Sequence, residues 1–321
     1  MLNHQPQAEQ IKQTIDQAQS ILVVSHQSAD GDTLGVGNAW IEYLLSRGKR
    51  VRAFCRDPLP TYLQFLPNNH HFTTDQEIFR QPFDILLVLD AGSLNHAGID
   101  DLVPLLPTPL TIINIDHHQS NALFGHQNLV IATASSTCEV VARLFHHWRV
   151  PITKRLAHCL LTGILTDTGA LRNPATGYLT LETAAQLTAA GADMNQILSY
   201  TFNNKPLAQL QLWGLALSRL RRNKKYNLAV TYVTHDDLTS LNLTVEAMEG
   251  LANYLSVLQG PQALLLLKVD PDLIRGSFRT AFDKPDVSKL AQALGGGGHR
   301  KSAAFRLPGK LIVDGERWTV V

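Results

Sequence analysis

Apolar runs alternate with amphipathic stretches through the first half of the chain. Runs typical of strands occur at 21–25, 51–54, 84–89, 111–115 and 129–132, and the apolar spacing of helices occurs at 7–19, 33–46, 136–148 and 153–166. Strands that alternate with helices in this way predict an α/β fold, with a parallel sheet and helices on both faces.

The pattern changes after Gly191. Helices are predicted near 193–202, 209–221, 244–257 and 286–294, and strands near 226–234, 262–269, 274–280, 303–307, 310–313 and 317–321. We therefore predict a larger α/β domain over 1–191, a linker helix and connector over 192–208, and a smaller α+β domain over 209–321.

Composition narrows the class of protein. Hydrophobic residues make up 45% of the 321 residues and charged residues 17%, which suits a folded chain with a substantial core. The net charge of +1 disfavours a broad nucleic-acid-coating surface but permits a local basic groove. Three cysteines without a metal-site spacing, no signal-peptide core and no apolar run of membrane-spanning length lead us to expect a cytoplasmic protein without a membrane partner.

Acidic and imidazole side chains lie just past the predicted strands 21–25, 84–89 and 111–115. In chain order these residues are His26, Asp30, Asp32, Asp90, Asp116, His117 and His118. Ligands of an open parallel sheet bind beyond the carboxyl ends of its strands, so we expect these side chains to meet at one edge of the sheet. Asp167, near the end of a predicted helix, would reach the same place from the side.

Carboxylates that meet at one place repel each other unless cations neutralise them. Imidazole and carboxylate ligands without paired thiolates suit Mn²⁺. Six or more candidate ligands are too many for one ion, so the pattern predicts two divalent metal ions, bridged by Asp90. A single aspartate after a strand more often caps a helix or forms a turn, and only the joint occurrence at three strand ends favours a metal site.

The second predicted domain contains two candidate anion-binding segments. Residues 295–302 are rich in glycine, and successive free backbone N–H groups there would form an anion nest, although a glycine run is also typical of a flexible connector. Arg275 and Arg279 would point to the same side of a strand, with Ser277 between them, and could hold a phosphate. The alternative is a solvent-facing strand.

These residues resemble the motifs of the DHH phosphoesterase superfamily. The matching segments are His26-x3-Asp30-Gly31-Asp32-x2-Gly35, Val88-Leu89-Asp90, Asp116-His117-His118, Thr166-Asp167-Thr168-Gly169, Arg275-Gly276-Ser277-Phe278-Arg279 and Gly296-Gly297-Gly298-His299. Their order is similar to that of the two-domain branch, a DHH domain followed by a DHHA1 domain, which includes nanoRNases and 3′-phosphoadenosine 5′-phosphate (pAp) phosphatases.

The resemblance implies a role for each matching residue. One Mn²⁺ would be held by His26, Asp30 and Asp90, and the other by Asp32, Asp90, His117 and Asp167. His118 would contact the scissile phosphate as a catalytic residue, and Asp116 would orient a neighbouring imidazole. The implied substrate-binding residues are Asn121, Arg275, Ser277, Arg279, Gly296, Gly297, Gly298 and His299.

We therefore expect a Mn²⁺-dependent phosphohydrolase that cleaves short oligonucleotides from an end. Expected substrates are short RNA or DNA, dinucleotides such as pApA, and pAp, bound in a cleft between the two domains of a chain that forms a homodimer. Two alternatives remain. An inorganic pyrophosphatase of related fold would carry a Ser-Arg-Lys signature instead of Gly-Gly-Gly-His. A noncatalytic nucleotide-sensing protein would bind nucleotide without Mn²⁺.

Overall fold

The computed structural model describes residues 4–107, 109–203, 205–256, 258–314 and 317–321. The chain divides into two compact units, with the boundary between residues 203 and 204. The helices and strands of the first unit are α1 (Gln5–Gln17), β1 (Ser20–Ser25), α2 (Gly31–Ser46), β2 (Arg50–Phe54), β3 (Phe72–Thr73), β4 (Ile85–Leu89), α3 (Leu94–Ala97), β5 (Thr111–Asp116), β6 (Gln127–Val130), α4 (Thr137–His147), α5 (Lys154–Asp167), α6 (Tyr178–Ala189) and α7 (Met194–Thr201).

The sheet of the first unit is entirely parallel, in the order β3–β2–β1–β4–β5–β6. The chain moves outward from β1 to β3 and then places β4 on the other side of β1, so the strand order reverses between β1 and β4. A crevice forms beyond the carboxyl ends of the strands at such a reversal. His26 follows β1 and Asp90 follows β4, so the topology brings these two side chains to the crevice.

Both faces of this sheet are buried. Ile21 and Val23 belong to a core that includes residues of α1, α2, α4 and α5, whereas Leu22 and Val24 belong to a second core with α3 and neighbouring short turns. Successive strand residues point to opposite faces, and β1 is buried along its whole length, as is typical of a central parallel strand. The predicted α/β fold is confirmed.

Some elements differ from the predicted ones. The helices α3 and α6 were not predicted. α3 is too short to show an apolar repeat, and the exposed Tyr178 and Leu179 at the start of α6 obscure its buried face. β6 begins two residues before the predicted strand 129–132. α7, which lies in the predicted linker 192–208, packs in the first unit through the fully buried Ile197.

The second unit has its own sheet and cores. Its elements are α8 (Leu207–Ser218), β7 (Arg221–Asn223), β8 (Leu228–Thr234), α9 (His235–Ser240), α10 (Leu251–Leu255), β9 (Ala263–Val269), β10 (Leu273–Arg279), α11 (Val287–Gln292), β11 (Gly297–His299), β12 (Ser302–Pro308), β13 (Leu311–Asp314) and β14 (Arg317–Val320). The main sheet runs β11–β12–β10–β9–β8–β7, with only β8 and β9 parallel, and β13 pairs with β14. This mixed sheet with helices confirms the predicted α+β class.

The predicted helix 244–257 is divided in two. A 3-10 turn covers Val245–Met248 and α10 follows, because Gly250 has φ +83°, a left-handed conformation that interrupts a helix. Residue 257, at the predicted end of that helix, and residue 204, in the predicted connector, lie outside the described residues. Within the described part of the chain, no helix has the length and apolar character needed to cross a membrane.

Candidate metal centre

The turn between β1 and α2 places the first candidate ligands. Asp30 is the N-cap of α2, where its Oδ1 accepts hydrogen bonds from the N–H groups of Asp32 (3.0 Å) and Thr33 (3.2 Å). The same Oδ1 lies 3.8 Å from Nε2 of His26. The capping role and the ligand role are therefore compatible, because one carboxylate has lone pairs for both.

Asp90 lies at the centre of the cluster. Its backbone has φ +57°, an uncommon left-handed conformation for a residue with a side chain, directly after β4. Its carboxylate is buried, with Oδ2 3.5 Å from Nε2 of His26 and Oδ1 3.6 Å from Nε2 of His117. The hydroxyl of Thr137 donates a hydrogen bond to Oδ1 at 2.8 Å. Asp90 thus stands between the two imidazoles.

Both of these imidazoles are oriented by backbone carbonyl groups. Nδ1 of His26 lies 2.8 Å from the carbonyl oxygen of Gln27, and Nδ1 of His117 lies 3.3 Å from that of Ala134. Donation from Nδ1 leaves the lone pair on Nε2, the nitrogen that faces the carboxylates. This arrangement is typical of histidines that bind metals.

Asp32 and Asp167 approach His117 from two helices. Nε2 of His117 lies 4.0 Å from Oδ2 of Asp32 and 3.7 Å from Oδ2 of Asp167. Asp32 also accepts hydrogen bonds from the N–H groups of Thr137 (2.6 Å) and Cys138 (2.9 Å), the first two residues of α4. A helix N-terminus carries positive partial charge, so it holds this buried carboxylate in place.

Close packing of α2 against α5 brings these two aspartates together. A Cβ atom added to Gly31 would overlap the side chain of Thr166, and one added to Gly163 would overlap Sγ of Cys138 and lie 2.5 Å from Oδ1 of Asp32. Glycine at these positions allows an approach that any larger residue would prevent.

Burial disfavours the charged form of the carboxylates in this recess. It raises the pKa of Asp32, with opposition from His117, and raises the pKa of Asp90 well above its usual value, with a further contribution from Asp32. Burial also raises the pKa of Asp167 to about 7, although solvent reaches 33% of that side chain. For His117, burial opposes protonation, but Asp167, Asp90 and Asp32 outweigh it and raise the pKa to about 9.

The donor set fits divalent cations. Three groups of ligand atoms lie within 4.8 Å of one another, formed by His26, Asp30 and Asp90, by Asp32, His117 and Asp167, and by Asp90, His117 and His118. The third group shares Asp90 with the first group and His117 with the second. Positive charge would relieve the repulsion between these carboxylates and return their pKa values toward the ionised range. The structure therefore brings together all six sequence-predicted metal ligands.

Asp116 connects His118 to an asparagine. Its Oδ1 accepts a hydrogen bond from Nδ1 of His118 (2.7 Å) and its Oδ2 accepts one from Nδ2 of Asn121 (2.6 Å). Burial would raise the pKa of Asp116, but the hydrogen bonds from His118 and Asn121 hold that pKa below its usual range. Asp116 therefore stays ionised and hydrogen-bonds the His118 ring.

The side chain of Asn121, a predicted substrate contact, is hydrogen-bonded within the protein. Its amide nitrogen is directed to Asp116, to Oδ1 of Asn114 (2.8 Å) and to the carbonyl oxygen of Ala91 (3.3 Å), and its Oδ1 accepts from the N–H of Leu123 (2.7 Å). An amide has two hydrogens to donate, so these partners engage its whole donor capacity. Asn121 thereby supports the Asp116–His118 pair.

Three residues of the centre were not predicted from the sequence. Thr137 and Cys138 contact Asp32 from the start of α4, and the imidazole of His96 stacks on that of His26 with ring centroids 4.9 Å apart. Burial, followed by the neighbouring imidazoles, lowers the pKa of His96 to about 4. A signal existed for α4, because Ser136-x-x-Glu139 is the pattern of a helix N-terminus, where carboxylates are stabilised.

In the second unit, four predicted substrate-binding side chains, those of Arg275, Ser277, Arg279 and His299, lie on neighbouring strands. In β10, Arg275, Ser277 and Arg279 alternate with buried residues, so they share one face. Arg279 is paired with Ser302 of β12, which is paired with His299 of β11. Residues opposite each other across strands point to the same face, so Arg279 and His299 lie on one face. Two strand spacings separate their Cα atoms by about 10 Å.

Part of the glycine-rich segment is engaged in secondary structure. Residues Gly297–His299 form β11, paired with β12. The N–H of Gly296 donates to the carbonyl oxygen of Ala291 (2.8 Å), and that of Gly295 to the carbonyl oxygen of Gln292 (3.0 Å). These two N–H groups close the end of α11, so they are engaged within the protein. A Cβ at Gly296 would overlap the carbonyl oxygen of Ala304, which explains the need for glycine there.

Comparison with known proteins agrees with this geometry. A family model described as the DHH family, N-terminal domain, matches residues 20–164, which contain every candidate ligand except Asp167. Residues 20–164 therefore contain a DHH family N-terminal domain. The resemblance drawn from the motifs is therefore confirmed.

Curated relatives match this chain along most of its length. The bifunctional oligoribonuclease and PAP phosphatase NrnA of Thermus thermophilus is 28% identical over 289 residues, which cover 90% of this chain and 84% of that protein. The protein of the same name from Bacillus subtilis is 24% identical, with coverage of 89% and 88%.

Solved structures share the fold. An exopolyphosphatase-related protein from Bacteroides fragilis superposes with a TM-score of 0.85 and 25% identity, covering 94% of this chain and 91% of that one. A putative family II inorganic pyrophosphatase from Methanococcus jannaschii has a TM-score of 0.50 and 15% identity, covering 92% and 95% of the two chains, and this likeness concerns the fold alone.

Proposed function

We propose that this protein is a Mn²⁺-dependent phosphohydrolase that releases mononucleotides from the end of short oligonucleotides and dinucleotides such as pApA, and also removes the 3′-phosphate of pAp. The observation that carries the proposal is the buried Asp90 carboxylate between two imidazoles whose Nε2 atoms both face it. The names of the Thermus and Bacillus relatives support the choice of nucleotide substrates.

Each ion would have its own ligands and share Asp90. His26 and Asp30 would complete one site, and Asp32, His117 and Asp167 the other. When bound, two such ions supply Lewis-acid stabilisation of a phosphoryl group and lower the pKa of a water molecule to near neutrality. The mixed imidazole and carboxylate ligands favour Mn²⁺ for this role.

The residues of the chain position the phosphate and the ligands. Asp116 keeps a hydrogen on Nδ1 of His118, so Nε2 is the nitrogen that His118 would direct to the scissile phosphate. Thr137 holds Oδ1 of Asp90, and the start of α4 holds Asp32. Preorganised groups of this kind stabilise charge in the transition state without having to reorganise.

The second unit would bind the substrate away from the scissile bond. Arg275, Arg279 and His299 supply groups that can donate to a terminal phosphate, with Ser277 beside them. Gly296 and Gly298 would allow close packing against the backbone of β12, and Gly297 would leave open space beside them. If this is correct, Arg275→Ala and His299→Ala raise KM for pApA and leave hydrolysis of a small aryl phosphodiester unchanged. Unchanged KM and kcat for pApA would contradict this assignment.

The test is hydrolysis of a panel of substrates by purified protein. We would incubate pApA, a five-nucleotide RNA, pAp and pyrophosphate with metal-free protein, with and without Mn²⁺, and repeat the assay with Asp90→Asn. The proposal predicts Mn²⁺-dependent release of mononucleotide that the substitution abolishes. Turnover of pyrophosphate alone would indicate a pyrophosphatase, and nucleotide binding without turnover would indicate a nucleotide sensor.

A further inference from the structure

The imidazole of His96 lies between two histidines of the metal centre. Its ring is nearly parallel to that of His26, with an interplanar angle of 15° and centroids 4.9 Å apart. It meets the ring of His118 edge-on, at 84° and 5.3 Å. One side chain therefore contacts a candidate metal ligand and the candidate phosphate contact.

Short-range hydrogen bonds fix the position of His96. Its backbone N–H donates to Oγ of Ser93, which caps α3, at 3.0 Å. Its Nδ1 accepts a hydrogen bond from the N–H of Gly92 at 3.3 Å. Gly92 is two residues past Asp90, so the ring is attached to the same turn that carries the central carboxylate.

The stacking contact with His96 restrains a tilt of the His26 ring that the hydrogen bond of His26 does not prevent. The bond from Nδ1 of His26 to the carbonyl oxygen of Gln27 defines one edge of the ring, but a single bond leaves the ring free to tilt about it. A flat ring packed against its face prevents that tilt. Nε2 of His26 then stays directed at Asp90 and Asp30.

We propose that His96 is a positioning residue, whose ring holds the imidazoles of His26 and His118 in the orientations that bind metal and phosphate. The inference rests on the proposed function and adds a residue to the same site. Outer residues that orient metal ligands typically change metal affinity or activity by about 10–100-fold when they are replaced.

Two substitutions at His96 distinguish the contribution of a flat ring from that of the imidazole nitrogen atoms. His96→Ala removes the stack, and we expect the affinity for Mn²⁺ to fall by about 10-fold or more. His96→Phe keeps a flat ring of similar size, and we expect an affinity within a few-fold of that of the unmodified protein. His158→Ala is the matched control, because His158 is half-buried in the same unit and also meets an aromatic ring, that of Phe65, edge-on at 5.6 Å.

The primary measurement is calorimetric titration of Mn²⁺ into metal-free protein, with thermal unfolding to show that each variant is folded. Steady-state hydrolysis of pApA is the second readout, in which His96→Ala should lower kcat/KM and His96→Phe should largely restore it. Equal Mn²⁺ affinity in His96→Ala and the unmodified protein would overturn the inference. So would a loss in His96→Phe as large as that in His96→Ala.

The outcomes also separate this inference from the proposed function. If the unmodified protein binds Mn²⁺ and hydrolyses pApA while the His96 variants are unchanged, only the role of His96 fails. If the unmodified protein neither binds Mn²⁺ nor hydrolyses any substrate in the panel, the proposed function itself fails.

Discussion

Replacing Asp90 by asparagine should make the metal-free protein more stable while it abolishes the response to metal. The carboxylate is buried among other carboxylates, so its charge opposes folding when no cation is present. Asparagine tolerates the left-handed backbone at this position, and its Oδ1 can still accept the hydrogen bond of Thr137. The substitution thus removes the charge and preserves the local structure.

The size of the effect has an upper limit. At pH 7 a buried carboxyl group can always take up a proton instead of remaining charged, so the penalty cannot exceed the cost of that protonation. For a reference pKa of about 3.9 and 1.36 kcal/mol per pH unit, the limit is about 4 kcal/mol. We therefore expect the free energy of unfolding of metal-free Asp90→Asn to rise by about 1–4 kcal/mol. Each kcal/mol should raise the melting temperature by roughly 2–4 °C.

The opposite end of the same strand offers a matched control. Asp84 directly precedes β4, and its Oδ2 accepts hydrogen bonds from the N–H groups of Gln19 and Ser20, each at 2.8 Å. These bonds lower the pKa of Asp84, so its charge favours folding. Asp84→Asn should therefore lower stability and leave the response to Mn²⁺ intact.

The assay is thermal and guanidinium unfolding in chelator and in excess Mn²⁺. The unmodified protein and Asp84→Asn should both gain stability from Mn²⁺, and Asp90→Asn should gain little. If metal-free Asp90→Asn is less stable than the unmodified protein and still gains the same increment from Mn²⁺, Asp90 is not part of a metal-binding cluster.

Three further predictions concern packing, pH and the second unit. Gly163→Ala should cost about 1–3 kcal/mol and weaken Mn²⁺ binding, because the new methyl group overlaps Cys138 and displaces the carboxylate beside it; unchanged unfolding and metal titrations would refute this. Asp167 and His117 have folded pKa values of about 7 and about 9, above their unfolded values of 3.8 and 6.5. The metal-free folded protein therefore keeps a proton on each group at pH values where the unfolded chain has lost it. The stabilisation from this proton binding is lost as pH rises through about 7 for Asp167 and about 9 for His117. Mn²⁺ needs deprotonated ligands, so the increase in melting temperature on adding Mn²⁺ should grow from about pH 6 to about pH 8, and a flat profile would contradict these shifts. In the second unit, the hydrogen bond from the Arg219 guanidinium holds the pKa of Asp237 at about 2, so its contribution is present above the unfolded pKa of 3.8 and is lost as pH falls toward 2. Asp237→Asn should destabilise this unit by about 1–3 kcal/mol without changing Mn²⁺ affinity, as measured by calorimetry, and a loss of Mn²⁺ binding would contradict the assignment of the metal ligands to the first unit alone.

The strands and the first candidate ligands could be predicted because their signals are local. β1 and β4 contain continuous apolar runs, β5 contains an apolar run interrupted by Asn114, and parallel strands direct their carboxyl ends to one edge. Any polar side chain that directly follows such a run is therefore expected at that edge. This argument needs no knowledge of how the helices pack.

The supporting residues could not be predicted because their contacts are distant in sequence or lack periodicity. Thr137 and Cys138 contact Asp32 across more than 100 residues, and only the packing of α2 against α4 and α5 brings them together. His96 belongs to a single helical turn, which has no apolar repeat. The support that Asn121 gives to Asp116 was missed for a related reason, since nothing in the local sequence of Asn121 reveals this hydrogen bond.

The most direct test of a two-ion phosphohydrolase is to titrate Mn²⁺ into the metal-free protein while the release of mononucleotide from pApA is measured. The account predicts no release before metal is added and a rate that reaches its plateau at about two equivalents of Mn²⁺ per chain. Hydrolysis that proceeds at full rate in the presence of chelator, or no hydrolysis at any concentration of Mn²⁺, would contradict it.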